Sequence, residues 1–384
     1  MATENATTCA HQKTKMMEYK NMVKRGLALC GLLSLLSCGG HKPQFVGKPL
    51  LKHDSVQQTG YDTTKLSALS QFIKDSSRTT GMVVLYDGKV LFEYGDVSQV
   101  SYLASCRKSI LSMLYGKHIT NGTIDLNETI GNLGIEEDDG LLPIEKQATV
   151  DHIITARSGV FHLPANGGYD TRNVKTRGSV KPGSYFLYNN WDFNVGGAIL
   201  EQYTGQSVYK ELQEQLAIPL GFEDWNLKNQ KKKWNKRKSR YAAYHIYVSP
   251  RDLAKMGQLM LNKGKWNDEQ LIPKSWVDQS TSMVTPVDTV NARNGWTHND
   301  MPQLSYGYMW WLLESFKDNA DYEGAFSATG WGGQFLTVIP KRKLVIAHMT
   351  KMDKLSLWGF HYKGVSDLTY WKIVDRLMQS QTTK

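Results

Sequence analysis

Residues 82–94 constrain the fold more than any other stretch of this 384-residue chain. Met82-Val83-Val84-Leu85-Tyr86 is apolar and β-branched, and Asp87-Gly88 follows as a two-residue turn. Lys89-Val90-Leu91-Phe92-Glu93-Tyr94 then reads as a second strand. Asp-Gly between two such runs predicts a tight antiparallel hairpin, because both central positions of that turn need positive φ. A lone hairpin is marginal in water, so further strands must join it. The candidates lie far along the chain, at 308–313, 334–339 and 344–349. Asp62 is placed to cap a helix whose apolar face is Leu66, Leu69, Phe72 and Ile73. A closing helix from Ser366 turns Leu368, Trp371, Val374 and Leu377 inward. These patterns predict an α/β (α+β) protein whose sheet is built from both ends of the chain and flanked by helices. Helical and loop patterning dominates from about 105 to 290 and predicts a second, mostly helical lobe. The cleft between the lobes is the expected place for chemistry.

The formal net charge of +10 suggests a polyanionic partner until its location is traced. Residues 1–37 contribute +3, residues 228–240 carry eight bases and no acid, and the remainder sits at −1. The body is therefore close to neutral, and no nucleic-acid partner is expected. Lys20, Lys24 and Arg25 precede the apolar run 26–37, the pattern of a secretory signal too short to span a bilayer. Its Leu35-Leu36-Ser37-Cys38 ending is similar to a bacterial lipobox, in which cleavage frees Cys38 for lipidation; an ordinary signal peptide cut near Ser37 is the alternative. Met16 or Met22 would make a more usual start. The chain thus divides into a signal (1–37), a polar tether (38–60) and one catalytic unit (61–384) attached to a bacterial envelope membrane through its lipid. Cys9 and Cys30 leave with the signal, so only Cys106 remains unmodified and the exported domain relies on its core rather than on disulfides. The basic stretch 228–240 is expected to be a solvated loop able to lie against anionic headgroups.

Two Ser-x-x-Lys patterns occur. Helical spacing by three places the amine beside the hydroxyl, where a partly desolvated lysine can activate the serine. Ser207-Val208-Tyr209-Lys210 follows Thr204-Gly205 and is most simply a helix cap with a solvated lysine. Ser105-Cys106-Arg107-Lys108 follows apolar residues and opens the most amphipathic helix of the chain, whose first N–H groups suit an oxyanion. A plain cap at Ser105 stays open on this pattern alone. Tyr188-Asn189-Asn190 adds a tyrosine, whose pKa a nearby ammonium would lower, and an asparagine able to hold the lysine and a substrate amide. A buried tyrosine with a turn asparagine is the bland alternative. Late in the chain Thr329-Gly330-Trp331-Gly332-Gly333-Gln334 runs into a strand. Glycines on that edge admit a substrate backbone, and a Trp331 N–H could complete an oxyanion hole with that of Ser105. A glycine-rich hairpin with a packed Trp331 is the other account.

Three such elements in this order resemble the serine β-lactamase and penicillin-binding-protein superfamily, in its class C-related esterase and D-aminopeptidase branch. Ser105 and Lys108 match its Ser-x-x-Lys, and Tyr188 and Asn190 its Tyr-x-Asn. Residues 149–160 and 248–257 also look like family segments, so the likeness spans roughly 65–378. The resemblance implies a β-lactamase-like fold and a cofactor-free serine hydrolase. In it Ser105 attacks an ester or amide of a small molecule or peptide, with Lys108 and Tyr188 moving the proton. Asn190, Thr329, Gly330, Trp331 and His245 would bind substrate. Family members acting on β-lactams or D-alanyl peptides usually carry a cation before Thr-Gly, whereas Ala328 stands here. That departure weakens a β-lactamase or D,D-peptidase reading and favours an esterase or amidase. A non-catalytic penicillin-recognising or peptidoglycan-sensing protein is the rival from another class.

His245 lies in an aromatic cluster, where a satisfied core histidine is the alternative to a site residue. The histidines show no metal-ligand spacing, so no metal is expected. Cys106 is read as an inert buried thiol. Trp310 and Trp311 alternate in the expected strand as packing residues, one of them facing the cleft.

Overall fold

Asp62 opens the first helix as a cap, its carboxylate accepting from the N–H groups of Thr64 at 2.7 Å and Lys65 at 3.2 Å. In this computed structural model, which describes residues 47–294, 300–352 and 364–382, helix α1 (Thr63–Ser76) buries Leu66, Leu69 and Ile73. Cys38 and the export segment lie outside the described residues. The described residues belong to one compact unit.

Strands β1 (Gly81–Tyr86) and β2 (Lys89–Gly95) form the expected hairpin, with Asp87 and Gly88 at φ of 47° and 80°. The distant strands are β3 (Gln303–Tyr306), β4 (Trp311–Ser315), β5 (Phe326–Gly330), β6 (Gln334–Ile339) and β7 (Leu344–Met349). They join in the order β2-β1-β7-β6-β5-β4-β3, antiparallel at every step. The hairpin docks on β7, with Gly81 opposite Met349 and Tyr86 opposite Leu344.

Four more helices matter for the site: α2 (Cys106–Thr120), α3 (Asn190–Thr204), α4 (Pro250–Leu261) and α5 (Asp367–Gln379). Neighbouring residues of β6 separate the two faces of the sheet. Phe335 stacks on Tyr370 of α5 with ring centroids 3.8 Å apart. Leu336 points to α4, where Gly257 lets the helix in so closely that a Cβ would lie 2.7 Å from Leu336 and 2.4 Å from Val345. With helices on both sides, β6 and β7 are buried at every residue, which explains their continuous apolar runs.

Three expectations are corrected. Residues 308–310 are not strand. Gly307 N–H donates to Trp310 O at 2.9 Å and Met309 takes φ 64°, so they form the turn between β3, which the sequence reading omitted, and β4. Helix α2 is buried continuously from Cys106 to Gly116 rather than being one-sided. It is enclosed, with Cys106 Sγ against Gln334 O at 3.1 Å and Tyr115 donating to Gly196 O at 2.7 Å. The basic stretch is not wholly loop, since Lys231–Lys233 pairs as an exposed strand with Ala243–His245.

Candidate active site

Ser105 sits where a short strand turns into α2. Ser101–Tyr102 pairs with Tyr247–Val248, and the N–H of Leu103 donates to Ile246 O at 3.0 Å. Ala104 then takes φ 47°, a left-handed conformation that costs an alanine roughly 1 kcal/mol. Ser105 makes no capping hydrogen bond, and its Oγ instead lies 2.7 Å from Lys108 Nζ. The second Ser-x-x-Lys behaves oppositely: Ser207 Oγ accepts from the Lys210 N–H at 3.2 Å, and Lys210 reaches Glu214 on the surface. Two identical spacings thus resolve into a cap and a paired serine and lysine.

Lys108 is 1% exposed, with Nζ 4.7 Å from the ring centre of Tyr188 and 4.9 Å from that of Phe193. Among the described residues no carboxylate pairs with it. Burial, then the neighbouring Arg107 charge, holds its pKa well below that of an ordinary lysine. Arg107 is itself buried, donates to Asn194 Oδ1 at 2.8 Å and stacks 4.2 Å over Tyr244. The Tyr188 phenol shifts the other way from the sequence expectation. Burial raises its pKa against the lowering effect of a hydrogen bond with Ser105, so Tyr188 keeps its proton. The expected lowering required an ammonium beside it, and the burial of Lys108 disfavours that ammonium.

A cavity of about 580 Å³ opens over Ser105 and Tyr188. Thr329, Gly330 and Trp331 line it, as do Trp311, Met301, Asp367 and Leu368; Leu368, expected to face inward with Trp371, is half-buried at the cleft instead. Trp311 is the cleft-facing member of its tryptophan pair, while Trp310 is fully buried. Gly330 packs against the Ser105 turn so tightly that a Cβ would lie 2.6 Å from Leu103 O and 3.1 Å from Ser105 N. Strand β5 pairs with β4 only through Phe326 and Ser327, so the stretch from Ala328 to Gly330 offers its free edge beside Ser105. A larger groove of about 720 Å³, lined by His53, Asp87 and Arg342, contains no serine–lysine pair.

Two expected binding residues are not among those lining the cavity. Asn190 begins α3 and hydrogen-bonds through Nδ2 to Gly167 O, while its buried Oδ1 has no partner among the described residues. It secures the 167–168 loop. His245 stacks on Tyr102 at 4.3 Å, and burial, then the charge of Arg107, lowers its pKa to about 3. Its Nε2 lies 3.2 Å from the Tyr102 hydroxyl, so the ring is engaged with the 101–102 strand. Cys106 is buried and its thiol pKa is pushed up, an inert group beside the serine. The signal for Asp367 was its place after the cap Ser366, whose Oγ accepts from the Thr369 N–H at 3.2 Å, but nothing local tied that helix end to Ser105.

A family model described as Beta-lactamase matches residues 68–356. An uncharacterised protein of Alkalihalophilus pseudofirmus is 24% identical over 264 residues, covering 64% of this chain and 71% of the relative. Among solved structures, a Bacillus anthracis protein proposed to be a 6-aminohexanoate-dimer hydrolase superposes with TM-score 0.62 at 19% identity, covering 88% of this chain and 87% of that one. EstCE1, a hydrolase with promiscuous acyltransferase activity, superposes with TM-score 0.59 at 15% identity, covering 84% of this chain and 99% of that one.

Proposed function

This chain belongs to the Beta-lactamase family and is a serine hydrolase of it, and from that premise we propose that it cleaves an ester or amide through an acyl-enzyme on Ser105. One observation carries this reading: Lys108 Nζ lies 2.7 Å from Ser105 Oγ in a buried setting that favours the neutral amine, at the floor of an open cavity. A neutral amine has a lone pair, so Lys108 takes the serine proton as Oγ attacks the carbonyl. Tyr188, which stays protonated, passes a proton to the departing alkoxide or amine and is recharged from Lys108. The N–H groups of Ser105 and of the β5 edge at Trp331 are the donors proposed for the oxyanion, a role worth about 3 kcal/mol per donor in such sites. Water then releases the acyl group by the same proton path in reverse.

Ala328 in place of a cation before Thr329-Gly330 argues against a β-lactam or D-alanyl peptide substrate, whose carboxylate that cation would hold. The test is Ser105→Ala. It should abolish hydrolysis of p-nitrophenyl esters and labelling by a fluorophosphonate probe, and persistence of both would remove Ser105 from the reaction. The same proposal places the enzyme on a bacterial envelope membrane through a lipid on Cys38, supported by the Leu35-Leu36-Ser37-Cys38 pattern. Cys38→Ala should move the protein out of the membrane fraction and end its labelling by an alkynyl fatty acid.

A further inference from the structure

The cleft carries an unusual charge inventory. Of the described residues that line it, Asp367 alone is ionisable apart from Tyr188; the others are apolar, aromatic, hydroxyl or glycine. No described lysine, arginine or hydrogen-bond donor pairs with its carboxylate, although the protein pairs many of its surface carboxylates, as in Lys317–Asp375 and Arg251–Asp224 on other elements. Asp367 and Ser105 line the same cavity. The β5 edge contributes Thr329 and Gly330 to the lining, with Ala328 before them, so that edge supplies no cation. A carboxylate taken partly out of water without a counter-ion is costly, and such cost persists where a ligand relieves it.

We propose that Asp367 makes the cleft select substrates with a cationic group, such as an ammonium, a few bonds from the reacting carbonyl and reject anionic ones. This rests on the serine-hydrolase reading above and names its substrate class. A cation bound there replaces the water that Asp367 has lost. The N-terminus of α5 would by itself favour an anion. Ser366 already occupies the Thr369 N–H, and the full charge of Asp367 outweighs the residual half-charge of the helix end. Burial holds the Asp367 carboxyl above the usual carboxylate range.

Three p-nitrophenyl esters of matched shape test this: 4-trimethylammoniobutanoate, its neutral isostere 5,5-dimethylhexanoate, and 4-sulfobutanoate. The wild type should show kcat/KM in the order cation, neutral, anion, with roughly tenfold between the first two. Asp367→Asn should bring the cation-to-neutral ratio near one and improve the anion relative to both, because the helix end is then unopposed. If that variant does not fold, the wild-type cation-to-neutral ratio still has to fall as ionic strength rises. Equal turnover of the three esters by the wild type, or a preference that survives Asp367→Asn, overturns the proposal while leaving Ser105 hydrolysis intact. Turnover of the neutral ester by Ser105→Ala instead overturns the hydrolase reading itself.

Discussion

An amine packed between the rings of Tyr188 and Phe193, one residue from a buried guanidinium, has little to stabilise a proton. Its folded pKa lies far below its unfolded one, so the unfolded chain binds more protons at neutral pH, and Lys108 opposes folding at every pH below about 10.5. Lys108→Met should therefore melt at the same temperature or higher while losing about 10²–10⁴ in kcat/KM for esters, a split that calorimetry and steady-state kinetics read together. The acid limb of the wild-type pH–rate profile should fall well below the pH at which a surface lysine titrates. Arg107 lowers the Lys108 pKa, so Arg107→Met should move that limb to higher pH, and an unmoved limb would remove Lys108 as the titrating base. At this scale the serine–lysine pair was legible because helical spacing by three fixes two side chains on one face. Tyr188 was legible as a position but not in its ionisation, which depends on burial that three residues of sequence do not carry. Asn190 and His245 were chosen by residue type. Their side chains turn to the 167–168 loop and to Tyr102, directions set by helix phase and strand face.

Strand β5 ends at Gly330, where two elements from opposite ends of the chain press together without room for a methyl group. Gly330→Ala has to push Leu103 O and the Ser105 N–H apart, and so should lower kcat by about 10²–10³ with a modest change in melting temperature. Gly257→Ala is the matched contrast. Its Cβ would strike Val345 and Leu336 on the opposite sheet face, costing about 1–3 kcal/mol of stability while leaving the residual folded enzyme active. Urea unfolding and kcat measured on both variants separate the two effects. The hairpin and strands β6 and β7 could be read in advance because turn chemistry and β-branched runs are local properties. The β3–β4 turn could not, because Gly307 and the positive φ of Met309 interrupt an apolar stretch that looks continuous. Nor could the burial of α2 on all sides, which follows from the sheet and the helical region closing around it.

The sheet, assembled from both ends of the chain, brings His348 of β7 beneath the cleft loop, with Nδ1 donating to Gly333 O at 2.9 Å and Nε2 accepting from the Thr79 hydroxyl at 2.7 Å. With Nδ1 donating to that carbonyl, the neutral ring leaves Nε2 as the acceptor for the Thr79 hydroxyl. Burial lowers its pKa to about 4 against 6.5 for a free histidine. The sign follows from proton uptake. Below 6.5 the unfolded chain binds a proton that the folded protein refuses, so this contribution is fully present above 6.5 and is lost progressively down to about 4. His245, held near 3, adds to the loss with the same sign. His348→Gln should start less stable at pH 7.5 yet lose less between pH 6.5 and 4.5, the slopes differing by on the order of 1 kcal/mol per pH unit. Because Gly333 follows Trp331 and Gly332 at the cleft mouth, acid should also loosen that loop in the wild type before global unfolding. Hydrogen exchange at residues 330–334, compared at pH 7 and pH 5 after correction for intrinsic rates, should show the protection there falling first. Uniform loss of protection across β5, β6 and β7 would instead assign the acid sensitivity to the sheet as a whole.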